Sequence, residues 1–332
     1  MRILVLGGTA FLSAEIARQA VAAGHDVTCF ARGTSATPPD GATWVRGDRA
    51  VGAAAFADLD GAWDAVVEVA RDPLQAQAAL EVLGAAAKHW TFVSSCSVYS
   101  DPSTPGADEG AALLEPLPMG QHGTPETYGE SKSAIEKQTT AMVGDKAHVV
   151  RAGLIGGPGD SSDRYGYWPA RFALGSGTVL VPDIADAPTQ IIDVRDLAAW
   201  VLRAAEDGIT GAYNALGDVV KFGDYIAESQ AAAGFGGEGV IQPDPGWLVE
   251  QGVNYWAGPD SLPLWLPPDH GGFQARSNRA ARERGMRLRP WQETLEATLE
   301  DERRRGLGRE RKAGLSRGTE QKLGALWREQ QR

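Results

Sequence analysis

The stretch Arg2-Ile3-Leu4-Val5-Leu6-Gly7-Gly8-Thr9-Ala10-Phe11-Leu12-Ser13 decides the fold. Arg2 to Leu6 is a short apolar run that stops at two glycines. Phe11 to Ala23 follows with Leu12, Ile16, Ala20 and Ala23 at helical spacing, and Gly24 closes the helix. A strand that hands over to a helix through a tight glycine turn aims backbone N–H groups and a helix N-terminus at one point. That arrangement suits a pyrophosphate. Of the usual three-glycine spacing only Gly7 is kept, with Ala10 and Ser13 at the second and third places. A bare helix start would need no ligand, but the strand–turn–helix context favours a nucleotide site.

Outward from this turn the pattern repeats. Asp26–Ala31, Thr43–Val45, Ala65–Val69, Trp90–Val93 and His148–Val150 read as strands, and helices are expected from Pro73 to about Lys88 and from Tyr128 to Met142. Strands separated by helices mean βαβ units, so the expected fold class is α/β: a doubly wound parallel sheet of the Rossmann kind with a smaller C-terminal, substrate-side domain. The expected division is residues 1–155 for the dinucleotide-binding domain, with returning segments near 189–216, 156–300 for the substrate side, and 301–332 as a charged helical tail. Gly and Pro are frequent beyond Gly156, and aromatics cluster at Tyr165, Tyr167 and Trp168, then at Tyr255, Trp256 and Trp265.

Composition narrows the class. The 332 residues are 43% hydrophobic and 23% charged, which is globular rather than disordered. Cys29 and Cys96 cannot build a disulfide scaffold, and five scattered histidines show no ligand spacing, so no metal is expected. The opening apolar run is too short for a signal peptide and no stretch is long enough to span a membrane, so a cytoplasmic protein is expected. The net charge of −11 argues against nucleic acid as a partner. Residues 301–332 carry +5 against −16 elsewhere, which reads as a solvated helical face. The expected partners are a small-molecule substrate and, at most, a second copy in a homodimer.

The end of the second strand bears on cofactor type. An acidic residue there would accept hydrogen bonds from the adenosine ribose. Here Ala31 is followed by Arg32, whose guanidinium suits a 2′-phosphate, so NADP(H) is favoured over NAD(H). Asp48, after the third strand, is placed to accept from the adenine amine. Further along, Tyr128 and Lys132 are four residues apart at a helix start, on one face and within mutual reach. An ammonium beside a phenol makes a usable acid/base at neutral pH. Ser95 lies just past the fifth strand, at the sheet edge where doubly wound folds bind ligands.

With these residues in view the sequence resembles the extended short-chain dehydrogenase/reductase family, the epimerase/dehydratase-like branch. The resemblance covers most of residues 1–300. It rests on Gly7-Gly8-Thr9, Val93-Ser94-Ser95-Cys96-Ser97-Val98-Tyr99, Tyr128 with Lys132, Arg151 through Gly157-Pro158, and Ile192-Asp193-Val194-Arg195-Asp196-Leu197-Ala198. It implies that Tyr128 is the general acid/base, that Lys132 lowers its pKa and holds the nicotinamide ribose, and that Ser95 hydrogen-bonds the reacting oxygen. Gly7, Thr9, Ala10, Phe11 and Leu12 would line the pyrophosphate turn. Arg71 stands where relatives often have a small residue and is either a further phosphate contact or a helix-flanking charge.

The departures are informative. Cys96 and Ser97 replace the Asp-Glu pair of the family's dehydratases, so elimination of water is not implied. Leu154 replaces the Asn of the nucleotide-sugar enzymes, so that substrate class is not implied either. Cys96, Leu154, Tyr165, Trp168, Trp256 and Trp265 are the candidate pocket wall, the aromatics having core packing as their other reading. Cys96 has no histidine beside it and reads chemically as a packing residue. The expected function is an NADP(H)-dependent oxidoreductase. An epimerase working by transient oxidation and a non-catalytic cofactor-binding or RNA-associated protein are the alternatives, the last resting on the basic tail.

Overall fold

The computed structural model describes residues 1–34, 36–236 and 239–332. The strands are β1 (Arg2–Leu6), β2 (Asp26–Ala31), β3 (Thr43–Arg46), β4 (Trp63–Glu68), β5 (Ala87–Ser95), β6 (Ala147–Ala152), β7 (Leu154–Gly156), β8 (Val179–Leu180), β9 (Pro188–Asp193), β10 (Gly211–Ala215) and β11 (Val219–Lys221), with short pairs beyond. Among the described residues the central sheet has seven strands, all paired in parallel, in the order β10-β6-β5-β4-β1-β2-β3. The order reverses between β1 and β4. A crevice opens outside the carboxyl ends of the strands at such a reversal.

Both faces of the sheet are buried, which is why its strands read as continuous apolar runs. Ile3, Val5, Val27, Cys29, Ala65 and Val67 pack under α1 (Phe11–Ala22) and α5 (Val194–Asp207). Leu4, Leu6, Phe30 and Val66 face α2 (Pro73–Leu83) and α3 (Tyr128–Val143). Each large apolar side chain so buried contributes roughly 1.5–3 kcal/mol. The helix expected to reach Lys88 stops at Leu83 instead. Ala87 and Lys88 belong to β5, since Trp63 pairs with Ala87 and its N–H donates to Ala86 O at 2.9 Å. Helix propensity in the alanine run yields there to strand pairing with β4.

The smaller part is built on β7, β9 and β11 together with α4 (Tyr167–Ala173), α6 (Phe222–Ala233), α7 (Pro245–Glu250), α9 (Trp291–Arg305) and α10 (Arg317–Gln330), while α8 (Arg279–Glu283) packs against β10 of the central sheet. Of the returning segments, Gly211–Ala215 joins the central sheet and Pro188–Asp193 the small one. The charge border at residue 301 falls inside α9. The reading of the basic tail as a solvated face holds for Arg303, Arg304, Lys312, Lys322, Arg328 and Arg332, which are exposed, but not for Arg305, Arg309 and Arg311. Glu302, only 1% exposed, accepts from Arg305 at 3.2 Å, Arg309 at 3.0 Å and Arg311 at 2.8 Å. Asp163, 2% exposed, pairs with Arg309 and Arg305 and accepts from Lys312 N at 2.9 Å. Glu320, 2% exposed, pairs with Arg171 at 2.7 Å. Charge patterning along a chain cannot reveal that Glu302 is buried within the tail or that Asp163, far earlier in the sequence, meets the same arginines. No helix among the described residues is long and apolar enough to cross a membrane.

Candidate active site

The glycine turn sits at the carboxyl end of β1. Gly7 has φ 141° and Gly8 φ 88°, conformations that L-residues avoid, and Gly7 N donates to Phe30 O at 2.9 Å. A Cβ on Gly8 would lie 2.4 Å from Cys29 Sγ, so β2 itself keeps this position small. Ala10 is exposed, with φ −142° and ψ 134°, and is the N-cap of α1 without a side-chain cap. Its negative φ makes alanine conformationally acceptable where the motif has glycine. Phe11, the first residue of α1, has φ 34°, an uncommon conformation for an aromatic residue. Leu12 and Ser13 are buried, and Ser13 Oγ donates back to Ala10 O at 2.9 Å, where a third glycine would have stood. The cradle and the first turn of α1, which lacks a side-chain cap, fit a pyrophosphate.

Beyond β2, Arg32 is exposed and forms no ion pair among the described residues. Arg46, absent from the sequence-based candidates, ends β3 opposite Ala31, and its guanidinium lies 4.1 Å from the Trp44 ring centre. Two cations therefore stand at this corner. Asp48 is exposed and caps the following turn by accepting from Ala50 N at 2.9 Å. At the end of β4 the buried Glu68 takes two bonds from Arg49 and one from Ala70 N at 2.7 Å. Sequence reading missed this pair, since a Glu in an apolar strand gives no hint of an arginine nineteen residues earlier. Arg71 follows, exposed at the crevice.

Tyr128 opens α3, half-buried at its first turn, and Lys132 lies one turn on. Lys132 is 3% exposed; Nζ donates to Ala70 O at 2.6 Å and Val93 O at 2.8 Å and lies 5.8 Å from the Tyr128 ring centre. Burial pulls its pKa down to about 7, with Glu68 opposing and Arg71 adding to the drop. Ser95 ends β5; its Oγ accepts from Ser97 N and donates to Ser97 Oγ, both at 3.1 Å. Carbonyls at the ends of β4 and β5 thus hold the ammonium, and α3 carries the phenol and ammonium to the same edge as Ser95. A chain of bonds fixes α3: Ser94 Oγ donates to Glu136, Glu136 pairs with Arg151 at 2.8 Å, and Arg151 Nη1 donates to Tyr99 OH at 3.1 Å. Arg151 is therefore a buried strut between α3 and β6.

The expected pocket wall is redistributed. Tyr165, Trp168 and Trp265 are 1%, 0% and 2% exposed, inside the small domain's core, with Trp168 Nε1 donating to Pro263 O at 2.8 Å. Their assignment to a pocket wall is corrected: aromatics of this size fill the thick apolar layer of the smaller part. Leu154 is buried in β7 as part of the same core. Cys96, 1% exposed, donates to Arg151 O at 3.4 Å, and burial pushes its thiol up to about 12, so it is inert. Trp256 remains half-buried, and the Arg164 guanidinium lies 5.0 Å from its ring centre. Burial lowers the Arg164 pKa, with Asp160 and Tyr128 opposing that shift and Arg71 adding to it.

The model of the NAD-dependent epimerase/dehydratase family matches residues 3–215. No curated protein matches the sequence. Among solved structures, the UDP-N-acetylglucosamine 4-epimerase of Bacillus cereus is similar at 16% identity and TM-score 0.65, over 90% of this chain and 98% of that one. The UDP-glucose 4-epimerase of Thermus thermophilus in complex with NAD is similar at 18% and 0.61, over 91% and 99%. WbmG of Bordetella bronchiseptica, in complex with NAD and UDP, is similar at 18% and 0.64, over 92% and 96%. At these identities the structures speak for the fold.

Proposed function

The chain belongs to the NAD-dependent epimerase/dehydratase family, and on that premise we propose that it is an NADP(H)-linked oxidoreductase acting at a carbinol or carbonyl carbon. The observation that carries the reading is the Lys132 ammonium held by Ala70 O and Val93 O one helical turn from Tyr128, beside Ser95. In this reading the Gly7–Leu12 turn holds the pyrophosphate, and Arg32 with Arg46 pairs with a 2′-phosphate. The bound nicotinamide supplies or accepts hydride. The chain's own residues handle the proton: the Tyr128 phenol gives it to the substrate oxygen in reduction, and the Tyr128 phenolate takes it from that oxygen in oxidation. Ser95 Oγ turns from Ser97 to donate to that oxygen. Lys132 stabilises the phenolate left behind and, through its remaining N–H, bonds a ribose hydroxyl.

Family membership supports a second reading, an epimerase that oxidises and re-reduces one carbon. The RNA-associated alternative is weakened, because Arg305, Arg309 and Arg311 are engaged by Asp163 and Glu302, which leaves Arg303, Arg304, Lys312, Lys322, Arg328 and Arg332 as the exposed cations of the tail. The test is a screen of carbonyl compounds and polyols with NADPH or NADP⁺. Net oxidation or reduction of the cofactor is expected, with Tyr128→Phe about 100-fold slower at unchanged cofactor affinity. Turnover without net cofactor change would establish the epimerase reading instead. Full activity of Tyr128→Phe would refute the role of the phenol.

A further inference from the structure

Arg164 is a half-buried arginine whose terminal amino groups have no acceptor among the described residues. Its Nε donates to Ser162 Oγ at 3.2 Å, and its guanidinium faces the Trp256 ring at 5.0 Å. Arg305, Arg309 and Arg311, which gather on the preceding Asp163, are by contrast committed to carboxylates. Asp160, the carboxylate whose charge Arg164 feels most, turns both oxygens to Ser162, on N at 2.7 Å and Oγ at 3.0 Å. An arginine with a shielded stem and an uncommitted fork is suited to bidentate recognition of an oxyanion.

The surroundings hold that fork in place. Asp163, the preceding residue, has φ 60° and is locked by Arg305, Arg309 and Lys312 N. Gly159 N donates to Asp301 at 2.9 Å, and Arg305 Nη1 donates to Asp160 O at 2.7 Å. Trp256 has φ 66°, a costly backbone for so large a side chain, and is pinned by its N–H to Trp265 O at 3.0 Å. Arg71 and Lys132 add positive charge on the cofactor side, while Glu68 is already paired with Arg49.

We propose that Arg164, seated on Trp256 in the loop whose Gly159 meets Phe11 of the glycine turn, binds a carboxylate or phosphate group of the substrate and so selects oxyanion-bearing molecules for this site. The inference rests on the proposed function for what happens to the substrate, but not for how the anion is held. The test is ligand-observed NMR titration of the NADPH-loaded protein with succinate, glycerol 3-phosphate and glycerol. We expect at least one of the two anions to bind and glycerol not to. Binding of succinate alone, or of glycerol 3-phosphate alone, identifies the group read. Arg164→Gln should weaken the anion by about tenfold or more and Arg164→Lys by less, both with wild-type NADPH affinity. Trp256→Leu, away from the charge itself, should weaken it too and serves if Arg164→Gln does not fold. Equal anion affinity in wild type and Arg164→Gln, glycerol binding as well as the anions, or no anion binding at all would overturn the proposal. If NADPH itself fails to bind, the proposed function falls, and the same titration without cofactor still decides the role of Arg164.

Discussion

The glycine turn and the Arg164 loop line the same crevice but are made rigid in opposite ways. Residues 7–13 are shaped by their own backbone and by the adjacent strand: Gly7 bonds to Phe30 O, Gly8 rests on Cys29, and Ser13 bonds to Ala10 O. Residues 159–164 are shaped by a segment some 140 positions later, through Asp301, Arg305, Arg309 and Lys312. The first device is local and can be read from a motif. The second depends on ion pairs whose partners meet only when the chain is folded. A locally shaped glycine turn is thus combined with a loop whose geometry depends on the C-terminal segment.

Breaking the tail network should have the largest effect. Glu302→Gln removes a buried charge and leaves Arg309 and Arg311 short of a counter-ion, a loss of about 3 kcal/mol or more in urea unfolding. Anion binding at Arg164 should weaken with it while NADPH affinity stays close to wild type. If both sites fail together, the two devices are not separable and the contrast is wrong.

Acid should separate the two halves along another axis. His148, fully buried within β6, has its pKa pushed down to about 3, by burial first and His89 second. The folded state then refuses a proton that the unfolded chain accepts below about 6.5, so this stabilisation is complete above that pH and falls away towards 3. The loss approaches about 4 kcal/mol at the acid end. For Asp163, burial raises the pKa but the Arg309 and Lys312 contacts outweigh it and hold it below the usual range. Its stabilisation is present above its unfolded value and is lost only as pH falls through the folded one. Chemical denaturation followed from pH 7 to 4 should show stability declining in wild type and flattening in His148→Phe. An unchanged slope in that variant would remove His148 as the cause.

Cofactor choice is the next effect in size. Arg32→Ala should cost about tenfold in NADPH affinity and little in NADH affinity, measured by calorimetry. Equal losses for both would mean that Arg32 does not read the 2′-phosphate, and Arg46 would be the next residue to change. The smallest effect is expected at Ala10. Its φ is already negative and its side chain exposed, so Ala10→Gly should alter cofactor affinity by no more than about threefold. A larger gain would show that the methyl group crowds the phosphates.

Much of the Rossmann half was legible because its signals are periodic and local: apolar runs, a glycine turn, a Tyr and a Lys one helical turn apart. Where reading went astray, a distant partner outweighed a local preference. The alanines after Gly84 favour a helix, yet pairing with β4 draws Ala87 into a strand. Glu68, Arg46 and Arg164 carried no motif and were passed over. Trp168 and Trp265 looked like pocket walls because large aromatics suit both a cleft and a core.

The sequence by itself determined the alternation of strand and helix, the place of the glycine turn, and the spacing that puts Tyr128 and Lys132 on one face. Short-range sterics and helical periodicity suffice for these. Only the tertiary structure decided which charges are spent. It turns Arg305, Arg309 and Arg311 of the tail inward onto Glu302 and Asp163, holds Lys132 on the carbonyls of Ala70 and Val93, and leaves the Arg164 fork uncommitted. The physical reason is that a charge's role depends on distance and burial, and both are set by parts of the chain remote in sequence.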